Sequence, residues 1–406
     1  MNHSKRLLII NEVCGHTSTG KICVQIAEHY RNNGWEVKIA YGRDDKVPEE
    51  YRQYAVRIGG DIDVKTHALC TRIFDNHGLC SKKSTKEFLR WADEYQPNTV
   101  WLHNLHGYYI NYELLFNWLK TRNDLDVKWT LHDCWAFTGH CSHYTYINCK
   151  RWMTLCKNCP QKKEYPKSYI FDSSKKNYLR KKAAFTGVKN MTIITPSVWL
   201  ADQVRQSFLN EYSIIVRHNN IDRNIFKKTE NNFREQNHIS NETIILAVAN
   251  VWNEKKGLPD ILKLISMLDE EYIFVIVGLN RIQKKKLNAL NRTNSIYADS
   301  DIDMRFSKRN KVVYENRIVR DVSEMYLAIT GQRGLASGTG ACRVIAMGKV
   351  DTSDLVEIYS SADVFINPTK EDTYPTVNLE ARACGLPIIT YDVGGCKETI
   401  TDENRI

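Results

Sequence analysis

The chain has 406 residues, a formal net charge of +10 and a hydrophobic fraction of 42%, enough for two or three domains with ample cores. No stretch approaches the ~20 apolar residues that cross a bilayer, and Met1 to Arg6 leads into an apolar run too short for a signal peptide, so the expectation is a cytoplasmic protein. Twelve cysteines without a secretory signal argue against a disulfide scaffold and for reduced thiols or a metal.

Leu7 to Asn11 reads as a first strand, followed by Val13-Cys-Gly-His-Thr-Ser-Thr-Gly-Lys21 and a helix from Ile22 to Asn33. Gly15 and Gly20-Lys21 fit G-x-x-x-x-G-K, the pattern of a phosphate-cradling loop. Against an NTPase, Ile22 stands where a serine or threonine would hold magnesium, and no Walker B strand follows. Gly34 ends the helix, and Trp35 to Tyr41 completes a parallel βαβ unit. Thr99 to His103 and Lys128 to Leu131 are further strands, ending in Asn104-Leu-His106-Gly107 and His132-Asp133. Histidines at strand ends of a parallel sheet stand where ligands bind; the plainer reading is hydrogen-bonded loop histidines.

A cysteine cluster follows. Cys156-x-x-Cys159 is a zinc-knuckle-like pair that Cys141 and Cys149 would complete as a tetrahedral four-cysteine site, a candidate structural zinc; the alternative is buried thiols packed as small apolar groups. Between Lys150 and Lys189, twelve lysines and arginines face only Glu164 and Asp172. With Tyr165, Tyr169, Phe171, Tyr178 and Phe185 interleaved, this window suits an anionic membrane surface, against the reading of a solvated lysine face. No zinc-finger, RNA-recognition or helix-turn-helix signature accompanies it, which disfavours nucleic acid.

Asn190 to Thr195 and Ile214 to Arg217 are the last strands of a first domain, residues 1–226. Lys227 to Glu242 reads as a polar linker, and Ile244 to Ala249 opens a second domain, residues 227–406. Asn250-Val-Trp-Asn-Glu-Lys-Lys256-Gly257 follows that strand, and Tyr272 to Val277 is the next. Residues 294–342 carry no recognisable chemistry and are expected to be an insert; Asp299, Asp301 and Asp303 within it are discounted as a metal motif. Asp363 to Asn367 is then a buried strand, Thr369 to Tyr374 a polar loop, Val377 to Cys384 a helix stopped by Gly385, and Pro387 to Tyr391 a strand before Gly394-Gly395. This is a βαβ unit with Glu371 and Asp372 in the loop at the carboxyl end of its first strand. The helix N-terminus beside them offers N–H groups to a phosphate, and Glu380 within the helix could accept from a ribose. The bland alternative is a solvated acidic loop.

Together Asp372, Glu380, Ala381, Cys384-Gly385-Leu386-Pro387, Gly394-Gly395 and Glu398 resemble the signature of family-4 retaining glycosyltransferases of the bacterial surface-polysaccharide type. The resemblance implies an α/β GT-B fold, two Rossmann-like domains facing a central cleft, and transfer of a sugar from a nucleotide-sugar donor to a lipid-linked or saccharide acceptor, with no metal required for catalysis. It implies catalytic or sugar-contacting roles for His132, Asp372 and Glu371, and donor binding by Gly15, Gly20, Lys21, Lys255, Lys256, Thr376 and Glu380. His218-Asn-Asn-Ile-Asp222 resembles the family's Asn-Gly-Ile-Asp turn. Aspartate at 372 replaces the usual glutamate, and Val251 stands where the family has an arginine. Family members continue beyond Gly-Gly-x-x-Glu, so the closing C-terminal element is expected to be missing or truncated. With the basic window, a lipid-linked acceptor places the protein peripherally on the inner face of the plasma membrane. A rival reading is a degenerate transferase retained as a sugar- or nucleotide-binding scaffold.

Overall fold

A computed structural model describes residues 5–293, 315–332 and 342–401. The chain divides into two compact units, Met1–Asn219 and Asn220–Ile406.

The first unit is built on strands β1 (Arg6–Ile10), β2 (Glu36–Tyr41), β3 (Ala55–Arg57), β4 (Thr99–Leu102), β5 (Asp126–Thr130), β6 (Met191–Thr195) and β7 (Ser213–Val216). They form one sheet in the order β3-β2-β1-β4-β5-β6-β7, every pairing parallel. Leu7, Leu8, Ile9 and Ile10 are all fully buried, as expected of a parallel strand covered on both faces. The helix Thr17–Asn32 buries Gly20, Cys23, Val24 and Ala27, a 3-4 spacing that puts one stripe against the sheet. Two helices that periodicity had not singled out, Asp61–Phe74 and Lys82–Tyr95, fill the stretch before β4.

The second unit has β8 (Thr243–Val248), β9 (Tyr272–Val277), β10 (Arg317–Val319), β11 (Arg343–Ala346), β12 (Val364–Asn367) and β13 (Ile388–Tyr391). Their order is β10-β13-β12-β8-β9-β11, again wholly parallel. The chain therefore visits the far edge, at β10, between β9 and β11. The described part of 294–342, the segment expected to be an insert, forms an edge strand and the helix Val322–Thr330. Val319, Val322, Met325, Tyr326 and Ile329 join the apolar core of the unit. Asp299, Asp301, Asp303 and the Gly-Leu-Ala-Ser-Gly-Thr-Gly-Ala run lie outside the described residues.

The polar stretch before β8 is not a free linker either. Phe226, Phe233 and Ile239 are buried with Leu246 and Phe365, and Arg234 pairs with Asp363 at 2.5 Å. Three apolar anchors suffice to pin a segment whose overall composition is polar.

In each sheet two neighbouring strands send their following chain apart, a switch point: β1 and β4 in the first unit, β8 and β12 in the second. Loops splay apart there, and open α/β sheets bind ligands in the resulting crevice. No helix among the described residues is long and apolar enough to cross a membrane.

Candidate active site

In the second unit the loops after β8 and β12 bring four charges together. Lys255 Nζ lies 2.8 Å from Glu371 Oε1, and Lys256 Nζ lies 2.7 Å from Asp372 Oδ2. The two loops are also joined through backbone, Lys370 N–H donating to the Lys255 carbonyl at 2.7 Å. Burial alone would lower the Lys256 pKa, but Asp372 outweighs it and raises the value, so the ammonium is retained. Glu371 is 6% exposed, and its second oxygen, Oε2, is buried without a partner.

Two glycines hold this loop in place. Gly257 has φ +77°, and a Cβ there would stand 2.2 Å from the Pro368 carbonyl oxygen; Gly394 has φ +56°, and its Cβ would stand 1.8 Å from the Asp372 carbonyl oxygen. Only glycine fits a positive φ at such a distance. The acidic loop thus lies against backbone on both sides. That gives a physical reason for Lys256-Gly257 and Gly394-Gly395.

The helix Thr376–Ala383 begins after Pro375, with no side chain capping its first turn. Asn378 fixes it to the sheet: its Oδ1 accepts from Asn367 Nδ2 at 2.8 Å, and its Nδ2 donates to Thr399 Oγ1 at 2.8 Å. Glu380 accepts from the buried Tyr359 hydroxyl at 3.1 Å. The N–H groups of the first turn at Thr376, which no side chain caps, and the oriented carboxylate of Glu380 therefore sit on one helix. Val251 is 63% exposed and contributes no charge, while Trp252 beside it is buried and donates to the Val277 carbonyl at 2.8 Å.

In the first unit, the helix starts at Thr17, so Gly20 and Lys21 are already helical. Gly15, at φ +76°, turns the chain into that helix, its N–H donating to the Gly20 carbonyl at 3.3 Å. Lys21 is exposed.

His132 packs on His103, ring nitrogens Nε2 and Nδ1 3.0 Å apart. Burial pushes His132 down to about 4 and His103 well below its ordinary value, so this pair is neutral. Its neighbour differs. His106 Nε2 lies 2.9 Å from Asp133 Oδ2, and although burial alone would raise it, Asp133 is held at about 2 mainly by that imidazole. His106 Nδ1 meets the Tyr165 hydroxyl at 3.1 Å. At the switch point Asn104 N–H donates to Asn11 Oδ1 at 3.2 Å, and Arg43 pairs with Glu12 at 3.0 Å. Asn11, Glu12 and Arg43 were not picked out from sequence, although the first two directly follow β1 and the strand-end rule points to them.

Cys141, Cys149, Cys156 and Cys159 line one small cavity with His140. None of the twelve cysteines is in a disulfide.

The basic window needs correction. Tyr178, Lys181 and Phe185 are buried, and Tyr165 is turned inward onto His106. Lys181 Nζ donates to the Trp135 and Thr138 carbonyls at 2.6 and 3.1 Å, 3.6 Å from the Trp135 ring centre; burial lowers its pKa to about 7. Tyr169, Ile170 and Phe171 are exposed, as are Leu69 and Phe74, with Phe171 stacked on Phe74 at 5.8 Å.

Residues 311–406 match the family described as Glycosyl transferases group 1. An N-acetylgalactosaminyltransferase of Campylobacter jejuni, acting on N,N'-diacetylbacillosaminyl-diphospho-undecaprenol by its name, is 40% identical over 50 residues, 12% of this chain and 13% of that protein. The stretches matched in curated relatives span only 12–18% of their length. Among solved structures, sucrose-phosphate synthase from Thermosynechococcus elongatus covers 98% of this chain, with 84% of its own chain covered, at TM-score 0.60 and 14% identity. Anabaena HepE, solved with UDP and glucose, covers 97% of this chain, with 82% of its own chain covered, at TM-score 0.54 and 11% identity. The chain resembles the group-1 glycosyltransferases over residues 311–406 and has the GT-B fold, two Rossmann-like units in one chain.

Proposed function

We propose that the chain transfers a sugar from a nucleotide-sugar donor to an acceptor hydroxyl with retention of anomeric configuration. The observation that carries this reading is the convergence of Lys255, Lys256, Glu371 and Asp372 beside the uncapped first turn at Thr376, with Glu380 held by Tyr359. Charge develops on the leaving diphosphate in such a transfer, and preorganised cations and helix N–H groups stabilise it more than they stabilise the bound donor. Lys256 and the helix N-terminus take that role, Glu380 accepts from the ribose, and Asp372 or Glu371 holds sugar hydroxyls. The unpartnered Glu371 Oε2 leaves one strong acceptor for a hydroxyl donor. His132, kept neutral by burial, positions the transferred sugar as an uncharged hydrogen-bonding group. The acceptor is a saccharide or lipid-linked saccharide of surface polysaccharide assembly, in keeping with what the Campylobacter relative is named for. The exposed Tyr169, Ile170 and Phe171 near Lys163 and Lys167 would meet an anionic membrane.

The competing scaffold reading draws on two features: both lysines are already neutralised by carboxylates, and Val251 supplies no third cation. Calorimetric titration with UDP and GDP, then with common UDP and GDP sugars, tests the proposal. Nucleoside diphosphate binding with slow donor turnover is expected; binding without turnover on any donor would favour the scaffold.

A further inference from the structure

Between β5 and the helix Ser174–Phe185 the chain carries five of its twelve cysteines. Cys141, Cys149, Cys156 and Cys159 line one cavity of about 10 Å³, too small to admit a ligand. Their side chains do not fit the zinc ion expected of them: among the described residues no group of three or more histidines, cysteines or carboxylates could hold a metal ion. Two of the sulfurs are joined as a pair instead. The Cys141 thiol donates to the Cys159 sulfur, which also accepts from the Gln161 N–H. Cys156, the partner that C-x-x-C spacing would suggest, accepts from the Gly139 N–H.

Two donors on one sulfur favour its thiolate, and a third group adds to them. His140 is 2% exposed and lines the same cavity. Its Nδ1 lies 2.6 Å from Asp75 Oδ1, and its Nε2 is buried without a hydrogen-bond partner. His140 and Cys159 are close enough that each favours the other's charge. Carboxylate, imidazole and sulfur in that order make a nucleophile of a thiol, and nothing in sugar transfer uses one. Cys159 is the half-buried member of the pair and Cys141 the buried one, so a reagent from solvent meets Cys159 first.

We propose that Cys159 and Cys141 are a redox pair, which a hydroperoxide converts to a disulfide with Cys159 as the attacking sulfur. The Cys159 thiolate attacks one peroxide oxygen, so that an S–O bond forms and the O–O bond breaks. The proton that Cys159 gave to His140 Nε2 goes to the departing alkoxide or hydroxide. The Cys141 sulfur then attacks the sulfenic sulfur; the S–S bond forms, the S–O bond breaks, and hydroxide leaves as water with the Cys141 proton. The two thiols are oxidised by two electrons, and the peroxide is reduced to an alcohol, or water, and one further water. The new bond closes residues 141–159 into a ring and ties down the chain leading to Tyr165, whose hydroxyl meets His106 at 3.1 Å. Nothing in this pair depends on sugar transfer.

The test uses the full chain, reduced and then freed of reductant, with hydrogen peroxide as the probe. After a stoichiometric dose and alkylation, mass spectrometry of the digest should find the Cys141–Cys159 cross-link and a matching loss of free thiols, both reversed by a phosphine. Cys156→Ser should keep the cross-link. Cys141→Ser should leave Cys159 as a sulfenic acid that dimedone traps, and His140→Gln should slow oxidation about tenfold. In urea the preference of the unaltered chain for this pair should vanish, a readout that stands even if a variant misfolds. A Cys156–Cys159 link, Cys159 oxidised no faster than Cys70, Cys80 or Cys149, or a zinc ion masking the four thiols overturns the pair.

Discussion

Lys256 Nζ lies 2.7 Å from Asp372 Oδ2, so the cation assigned to the donor diphosphate is engaged by a carboxylate until a ligand competes for it. An incoming diphosphate exchanges one anion for another. The gain is the difference between two charged hydrogen bonds rather than the whole of one, and selectivity for phosphate rests on the added helix N–H groups.

Lys256→Ala should weaken nucleoside diphosphate binding about 10- to 100-fold, the equivalent of roughly 1.5–3 kcal/mol for a charged hydrogen bond. Unphosphorylated nucleoside should bind as before. Titration calorimetry of both ligands reads the difference, and equal losses would remove Lys256 from the phosphate position.

Gly394→Ala should lower the stability of the second unit by roughly 1–3 kcal/mol from backbone strain, and by more where the new Cβ meets the Asp372 carbonyl. Gly385→Ala is the control: φ is +84°, yet the nearest atom to its Cβ is Lys228 Cδ at 3.8 Å. Urea midpoints of the two variants give the comparison. If Gly385→Ala costs as much as Gly394→Ala, the close approach to the acidic loop contributes nothing.

The two units differ in how much of them was legible in the sequence. The buried strands β1, β6, β8, β9, β12 and β13 were readable because each is a short apolar run closed by a turn residue. β3 and β10 are three residues long at sheet edges, where neither periodicity nor burial marks them. The acidic loop, Lys255, Lys256 and Glu380 were legible as a spaced pattern. The contacts of Glu12 with Arg43 and of Tyr165 with His106 were not, since they join residues 31 and 59 positions apart. Lys181 shows the limit of composition: counted among surface lysines, it is buried between a tryptophan ring and two carbonyls.

Acid should destabilise the first unit. His67 is held neutral, its Nε2 accepting from Gly78 N–H at 3.0 Å and its Nδ1 meeting Ser81 Oγ at 2.8 Å. Burial depresses its pKa to about 4, below the ordinary 6.5, so the unfolded chain takes up the proton first. The contribution is complete above pH 6.5 and is lost as pH falls toward 4, at up to about 1.4 kcal/mol per pH unit. His132, also at about 4, adds to the slope. Urea midpoints of the first unit's tryptophan fluorescence should fall across that window, less steeply in His67→Asn. A flat profile would contradict the neutral assignment.

For the membrane surface, sedimentation with anionic vesicles should deplete the protein at low salt and release it at high salt, each exposed lysine near lipid contributing about 1 kcal/mol. Replacing Lys163, Lys167, Lys175 and Lys176 by glutamine should abolish depletion, as should Tyr169→Ser with Phe171→Ser. Lys181→Gln should instead lower thermal stability, because its donors hold the Trp135 and Thr138 carbonyls. Protein left in the supernatant at low salt would leave the patch as a solvated face.

The central claim is retaining sugar transfer at the Lys256–Asp372 and Glu380 site, and anomeric analysis of the product tests it most directly. With a donor of defined α configuration, identified by screening UDP and GDP sugars, nuclear magnetic resonance of the product, or of the free sugar released to water before mutarotation, should show the α anomer. Glu380→Ala should reduce turnover below detection while the chain stays folded. A product with inverted configuration, or turnover undiminished in Glu380→Ala, would contradict the account.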